Sequence, residues 1–209
     1  MTGKSGSILI MLLVLVCLVI HGDAYAQEKP ASFSGDLVIT EPDSTITAKI
    51  YVKNPYIRRV EMSKEAGGMI YIRPPEARGR IWVLDPATKQ YTILSAGFPA
   101  RKDPVEAWKD LHNDMGGGPK GEEMINGHSC TIYHFSYKDQ DKIAVMMWQA
   151  DDLRYAIKIE ADTELAIGLD ADSELIYRPI KGTFEILNIK REELDDTLFE
   201  IPSDYVEVK

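Results

Sequence analysis

The stretch that decides the fold runs from Glu122 to Glu160 and reads EEMINGHSCTIYHFSYKDQDKIAVMMWQADDLRYAIKIE. Its composition predicts three strand runs, broken at Asp139-Gln140-Asp141 and again at Asp151-Asp152. Aromatic and β-branched residues fill the runs, and short polar clusters between such runs are turn signals. Tyr133, Phe135, Tyr137, Met147 and Tyr155 crowd the stretch with large side chains, and it carries no recognisable catalytic signature.

Upstream, Phe33 to Glu41 (FSGDLVITE) and Thr45 to Lys53 (TITAKIYVK) flank Pro42-Asp43-Ser44. The second run puts Ile46, Ala48, Ile50 and Val52 on one face and Thr45, Thr47, Lys49 and Tyr51 on the other. Period two marks a strand, and the short break marks a hairpin. Tyr56 to Ser63, Met69 to Arg73, Arg80 to Leu84 and Gln90 to Ser95 extend this into an antiparallel meander, punctuated by Gly67-Gly68, Pro74-Pro75 and Asp85-Pro86-Ala87-Thr88. Downstream, Glu160 to Ser173 is acidic and weakly patterned, which predicts a loop or a helical turn, and Gly182 to Lys190 is a further strand. One segment departs from the β pattern. Asp103-Pro104-Val105-Glu106 offers an N-cap, a first-turn proline and acidic residues, and Val105, Trp108, Leu111 and Met115 follow at helical spacing. Gly116-Gly117-Gly118 stops that helix. Its apolar stripe suits either core packing or a lid hinged on the glycines.

The chain opens with Lys4, thirteen apolar residues from Ile8 to Ile20, and Ala24-Tyr25-Ala26. That order predicts a secretory signal peptide over residues 1–26, with cleavage after Ala26. The apolar run is shorter than the roughly 20 residues that span a bilayer. Cys17 lies inside the signal, so Cys130 is the only cysteine of residues 27–209 and no intrachain disulfide is expected. Cleavage removes Lys4 and Asp23, so the net charge stays at −9. Such a chain lacks the clustered cations that bind nucleic acid or anionic lipid surfaces. No repeat, low-complexity tract or linker divides residues 27–209, which predicts a single domain.

Chemistry is sparse. His128, Cys130 and His134 share one strand parity, but their spacing matches no common zinc signature and consecutive same-face residues diverge. Asp170, Asp172 and Glu174 imitate a calcium loop, yet Leu175 stands where glycine is required and Lys181 where the last acid is required. Neither G-x-S-x-G nor H-E-x-x-H occurs, and Asp151-Asp152 reads as a polar turn. Neither enzyme activity nor a metal or cofactor is expected. Met146 and Met147 beside Trp148 suit adaptable apolar contact.

Several residues in order carry a family resemblance: Arg59 and Glu61 as R-x-E, Ile81 to Leu94 (IWVLDPATKQYTIL), Gly127, Cys130 and Tyr133 as G-x-x-C-x-x-Y, Trp148, and Leu198 to Pro202 (LFEIP) with Tyr205. Together they resemble the outer-membrane lipoprotein-sorting-protein and lipoprotein-carrier-like (LolA-like) superfamily, over roughly Phe33 to Val208. The resemblance implies a mainly β fold with minor α. Its sheet would be antiparallel and strongly curved, an unclosed half-barrel with a short helical lid, in the periplasm. It also implies non-enzymatic binding or carriage of a lipid acyl chain or a lipidated protein in an apolar cavity. The expected pocket is lined by Trp82, Trp108, Leu111, Met115, Met146 and Trp148, with Arg59 at its mouth. Arg59, or its neighbour Arg58, matches the arginine that helps hold the lid in the carrier. The dedicated carrier has a helix before its first strand, and Gln27 to Ser32 is too short for one, which favours a relative with another apolar ligand. The competing expectation is an envelope protein-interaction or sensor module whose cavity is filled by its own side chains.

Overall fold

A computed structural model describes residues 32–54, 57–74, 80–95, 118–136, 143–169 and 175–208. Among them are twelve strands: β1 (Phe33–Glu41), β2 (Ser44–Asn54), β3 (Ile57–Met62), β4 (Ile70–Arg73), β5 (Arg80–Asp85), β6 (Gln90–Ser95), β7 (Gly118–Ile125), β8 (His128–Ser136), β9 (Ile143–Ala150), β10 (Tyr155–Leu169), β11 (Leu175–Arg191) and β12 (Val206–Glu207). They form one sheet in the order β12-β6-β5-β4-β3-β2-β1-β11-β10-β9-β8-β7. Every neighbouring pair is antiparallel except β6 and β12, which run parallel. The chain therefore lays down one wing as β1–β6 and the other as β7–β11, and the two wings join where β1 pairs with β11.

Alternation sets the two faces. Phe33, Leu37 and Ile39 on β1 are fully buried while the residues between Leu37 and Ile39 and beside them are partly exposed. Register places Leu37 between Ala48 and Ile186, and Ile39 between Ile46 and Phe184. Carried along the rungs, this face also holds Arg58, Val60, Ile159, Met147 and Phe135. It is the concave face. Arg58 on β3 donates from Nη1 to the Tyr155 hydroxyl on β10 at 2.9 Å, and Phe33 meets the Tyr155 ring edge-on with centroids 5.3 Å apart. On a flat sheet β3 and β10 would stand about 19 Å apart, and perpendicular side chains would not meet. The sheet must curve to bring them together. Bulges at Ser34/Asp36 and Ala156/Lys158 flank the joint between the wings, and bulges bend the strand and add twist.

The convex face has its own cover. Ile72 and Leu84 face away from the main core and are buried by Leu194 and Phe199, with Trp82, Tyr91 and Tyr205 around them. Phe199 ends a 3₁₀ turn, Asp196–Phe199, whose cap Asp195 accepts from the Thr197 backbone N–H at 2.8 Å. Lys53 donates to the Leu194 carbonyl at 3.2 Å, and Arg59 donates to the Leu198 carbonyl at 2.9 Å. Together these tie the C-terminal segment across the convex side of β2–β6.

The curved, unclosed antiparallel sheet is the fold that the resemblance implied, and the boundaries of β1–β6 follow the alternation closely. Three expectations differ. The run expected from Glu122 is two strands, because Asn126 and Gly127 take φ of 50° and 84° and close a two-residue hairpin between β7 and β8. The acidic segment from Glu160 is strand as far as Leu169, and β11 begins at Leu175 rather than Gly182. There β10 and β11 pair with each other past the ends of β9 and β1, so backbone bonding overrides weak side-chain propensity. Gly118, expected to end a helix, opens edge strand β7, where Pro119 is tolerated. The expected signal peptide (1–26), the helix over 103–115 and the acidic run at Asp170, Asp172 and Glu174 lie outside the described residues.

Candidate functional site

The concave face has two unlike ends. At one, Phe33, Val52, Arg58, Tyr155 and Ile157 are packed to 3% exposure or less. Arg58 is the buried charged residue of the described core, and its guanidinium lies on the Tyr155 hydroxyl.

At the other end, a cavity of about 450 Å³ opens beside the β1–β2 turn. Thr40, Glu41 and Pro42 form one side, Val145 and Met146 of β9 another, and Glu160–Asp162 of β10 with Lys181–Thr183 of β11 the rest. A Cβ on Gly182 would stand 2.5 Å from the Thr40 carbonyl oxygen, so β1 and β11 approach this closely only because residue 182 is glycine. Residues of both parities reach the cavity: Glu41, Val145 and Ala161 belong to the concave row, Met146, Glu160 and Thr183 to the other.

The expected pocket residues are not gathered in one place. Trp82 lies on the convex face against the C-terminal segment. Arg59 is on that face too, bonded to Glu61 at 2.6 Å and to Leu198. Trp148 alternates with Met147 along β9 and is buried in the main core, where it does not line the cavity; its Nε1 donates to Glu123 at 2.7 Å and Lys158 sits over its ring at 4.4 Å. Met146 reaches the cavity. Trp108, Leu111 and Met115 lie outside the described residues. Of the two neighbouring arginines, the concave one is Arg58, and the parity it shares with Val60 and Met62 is the signal that marks it.

The polar groups of the opening stretch are engaged locally. Asp151 accepts from Ser129 and Thr131 at 3.1 and 2.8 Å. Asp152 lies 3.0 Å from His128 Nδ1 and is paired with Arg191. Burial works against its ionisation, but those partners hold its carboxyl below the usual range. Cys130 is buried, and desolvation pushes its thiol up to about 11, far from a reactive thiolate. Among the described residues no three His, Cys, Asp or Glu side chains gather to hold a metal, and no helix is long and apolar enough to cross a membrane.

Comparison with known proteins gives a family. The model of the family described as a domain of unknown function, DUF4412, matches residues 33–162. The chain belongs to DUF4412. That match runs from β1 into β10, so Glu41, Arg58, Val145, Met146 and Tyr155 fall within the DUF4412 region and Lys181–Thr183 beyond it. No curated protein matches the sequence. Among solved structures, an uncharacterised conserved protein from Thermus thermophilus aligns at 12% identity over 98% of this chain and 99% of that one, with a TM-score of 0.50. MucB, solved in complex with MucA from Pseudomonas aeruginosa, aligns at 17% identity with a TM-score of 0.52. The alignment covers 94% of this chain and 62% of that one, so the DUF4412 chain spans less than two thirds of its length. A LolA superfamily protein from Nitrosomonas europaea also matches, at 14% identity over 90% of this chain and 95% of that one, with a TM-score of 0.34. The likeness to the first two is one of fold.

Proposed function

We propose that this DUF4412 chain is a non-enzymatic binding protein of the periplasm that takes an acyl chain, from a lipid or a lipidated protein, into the cavity beside the β1–β2 turn. The observation that carries this reading is the cavity itself. Its volume of about 450 Å³ falls in the range of ligand sites, and Val145, Met146 and Ala161 give it apolar walls. An acyl chain gains about 0.8 kcal/mol for each methylene taken out of water, so even a partly inserted chain is held. Met146 adds an adaptable wall, since thioether chains repack at low cost. The test is native mass spectrometry of protein purified from the cell envelope without detergent, followed by solvent extraction. Adducts of acyl mass that extraction removes are expected, and a clean mass of the bare chain sinks the reading.

A second reading has its own observation. The Arg58–Tyr155 end of the concave face is filled by the protein's own side chains, as a self-filled interaction module requires. MucB, similar in fold, is solved with a protein partner. Capture of one envelope protein by delipidated chain, unaffected by added lipid, selects this reading over the first.

A further inference from the structure

We infer that the occupant of the cavity carries a protonated amine head, and that Glu41 is the group that receives it. This rests on the acyl-binding reading above and deepens it. The cavity is bordered by three carboxylates, and two have a lysine partner: Lys158 Nζ lies 2.7 Å from Glu160 Oε1, and Lys181 Nζ lies 3.7 Å from Asp162 Oδ2. Glu41 has none among the described residues. Its Oε2 accepts from Ser44 Oγ at 3.1 Å, and its Oε1 is buried from solvent with no hydrogen-bond partner among those residues. A carboxylate oxygen taken from water and given no donor is costly, and a ligand that brings a donor recovers that cost. A cationic donor recovers more, because attraction between the unlike charges adds to the hydrogen bond.

The setting selects among cations. No three acidic or nitrogen ligands gather among the described residues, so a bare metal ion lacks its coordination. Val145, Met146 and Ala161 stand beside Glu41 in the same cavity, so the fitting ligand joins an ammonium to an apolar tail. Alkyl amines and amine-headed lipids share that chemistry; an anionic head on the same tail forgoes it, and a hydroxyl head brings a donor without the charge.

Three single-chain probes with one tail test this: dodecylamine, dodecanol and dodecanoate, titrated below their aggregation concentrations by displacement of a fluorescent acyl probe. At about 0.15 M salt exposed charges are screened beyond roughly 8 Å, so the chain's overall acidity contributes little. Dodecylamine is expected to bind about tenfold more tightly than dodecanoate, the scale of one charge-assisted contact. Glu41→Gln is expected to bring that ratio near one. Asp43→Asn, an equal change of charge at an exposed neighbour in the turn, is expected to keep the ratio. Equal binding of all three heads overturns the amine inference and leaves acyl binding standing. Binding of none overturns both. A ratio lost equally in Asp43→Asn assigns it to general acidity and overturns the role of Glu41.

Discussion

The two ends of β1 lie about 27 Å apart at strand rise, and the chain treats them differently. At Phe33 the concave face is closed: an edge-on aromatic pair and the Arg58–Tyr155 hydrogen bond bring β3, β1 and β10 together. At Glu41 residues of β1, β9, β10 and β11 line a cavity, and a carboxylate is left with a buried oxygen unsatisfied among the described residues. One end is therefore closed by packing, and on the proposed reading the other takes the ligand. A curved sheet need not be either a filled core or an empty cup; residues along one strand divide the two tasks.

The comparison breaks most directly at the closed end. Phe33→Ala is expected to cost about 3–5 kcal/mol of unfolding free energy in urea, the usual range for truncating a fully buried phenylalanine. A loss below about 1 kcal/mol would mean that this end is not tightly packed and the contrast is false. Tyr155→Phe is gentler: the ring stays against Phe33 and the acceptor for Arg58 is lost. About 1.5–3 kcal/mol is expected, as for hydrogen bonds to charged groups. At the open end, Ala161→Phe places a ring in existing space. It is expected to move stability by less than about 1 kcal/mol, below the usual cost of overpacking a filled core, while abolishing acyl adducts in the mass spectrum. Destabilisation as large as that of Phe33→Ala, with adducts retained, would show that Ala161 belongs to packed core.

Much of this fold was legible because β1–β6 alternate cleanly and their turns carry strong signals, such as Asp85, whose carboxylate accepts from the Ala87 N–H and the Thr88 hydroxyl. The site was less legible, for a physical reason. Period two says that a strand has two faces, but not which is concave. Where both rows are apolar, as with Val145 and Met147 against Met146 and Trp148, side-chain size does not decide between them. Trp82 and Trp148 were expected in the cavity as large apolar groups. The C-terminal segment around Phe199 gives Trp82 a home on the convex side, and Trp148 is buried in the main core with its indole N–H on Glu123 and Lys158 over its ring. That cover is visible only once the chain is folded, since LFEIP by itself does not say what it packs on. Glu41 reads as the last residue of a strand, and nothing local marks it as a carboxylate without a lysine partner among the described residues.

The smallest expected effect sharpens the comparison through pH. Asp152 lies in the β9–β10 turn, three residues before Tyr155, and so belongs to the closed end. Folding lowers its pKa: burial opposes ionisation, but the His128 and Arg191 contacts outweigh it. In the unfolded chain the carboxyl returns to its ordinary value near 3.8. The ionised form is therefore favoured by folding. Its contribution is present above that ordinary value and disappears as pH falls through the lower folded value. The side chain is 44% exposed, so solvent screens the contribution and keeps it small at neutral pH. Asp152→Asn preserves shape and removes the charge. The urea midpoints of wild type and variant are expected to differ slightly at pH 7 and to draw together as pH falls below about 4, the ordinary carboxyl value. A gap that widens on acidification would reverse the sign, and with it the assignment of Asp152 to the structural end of the sheet.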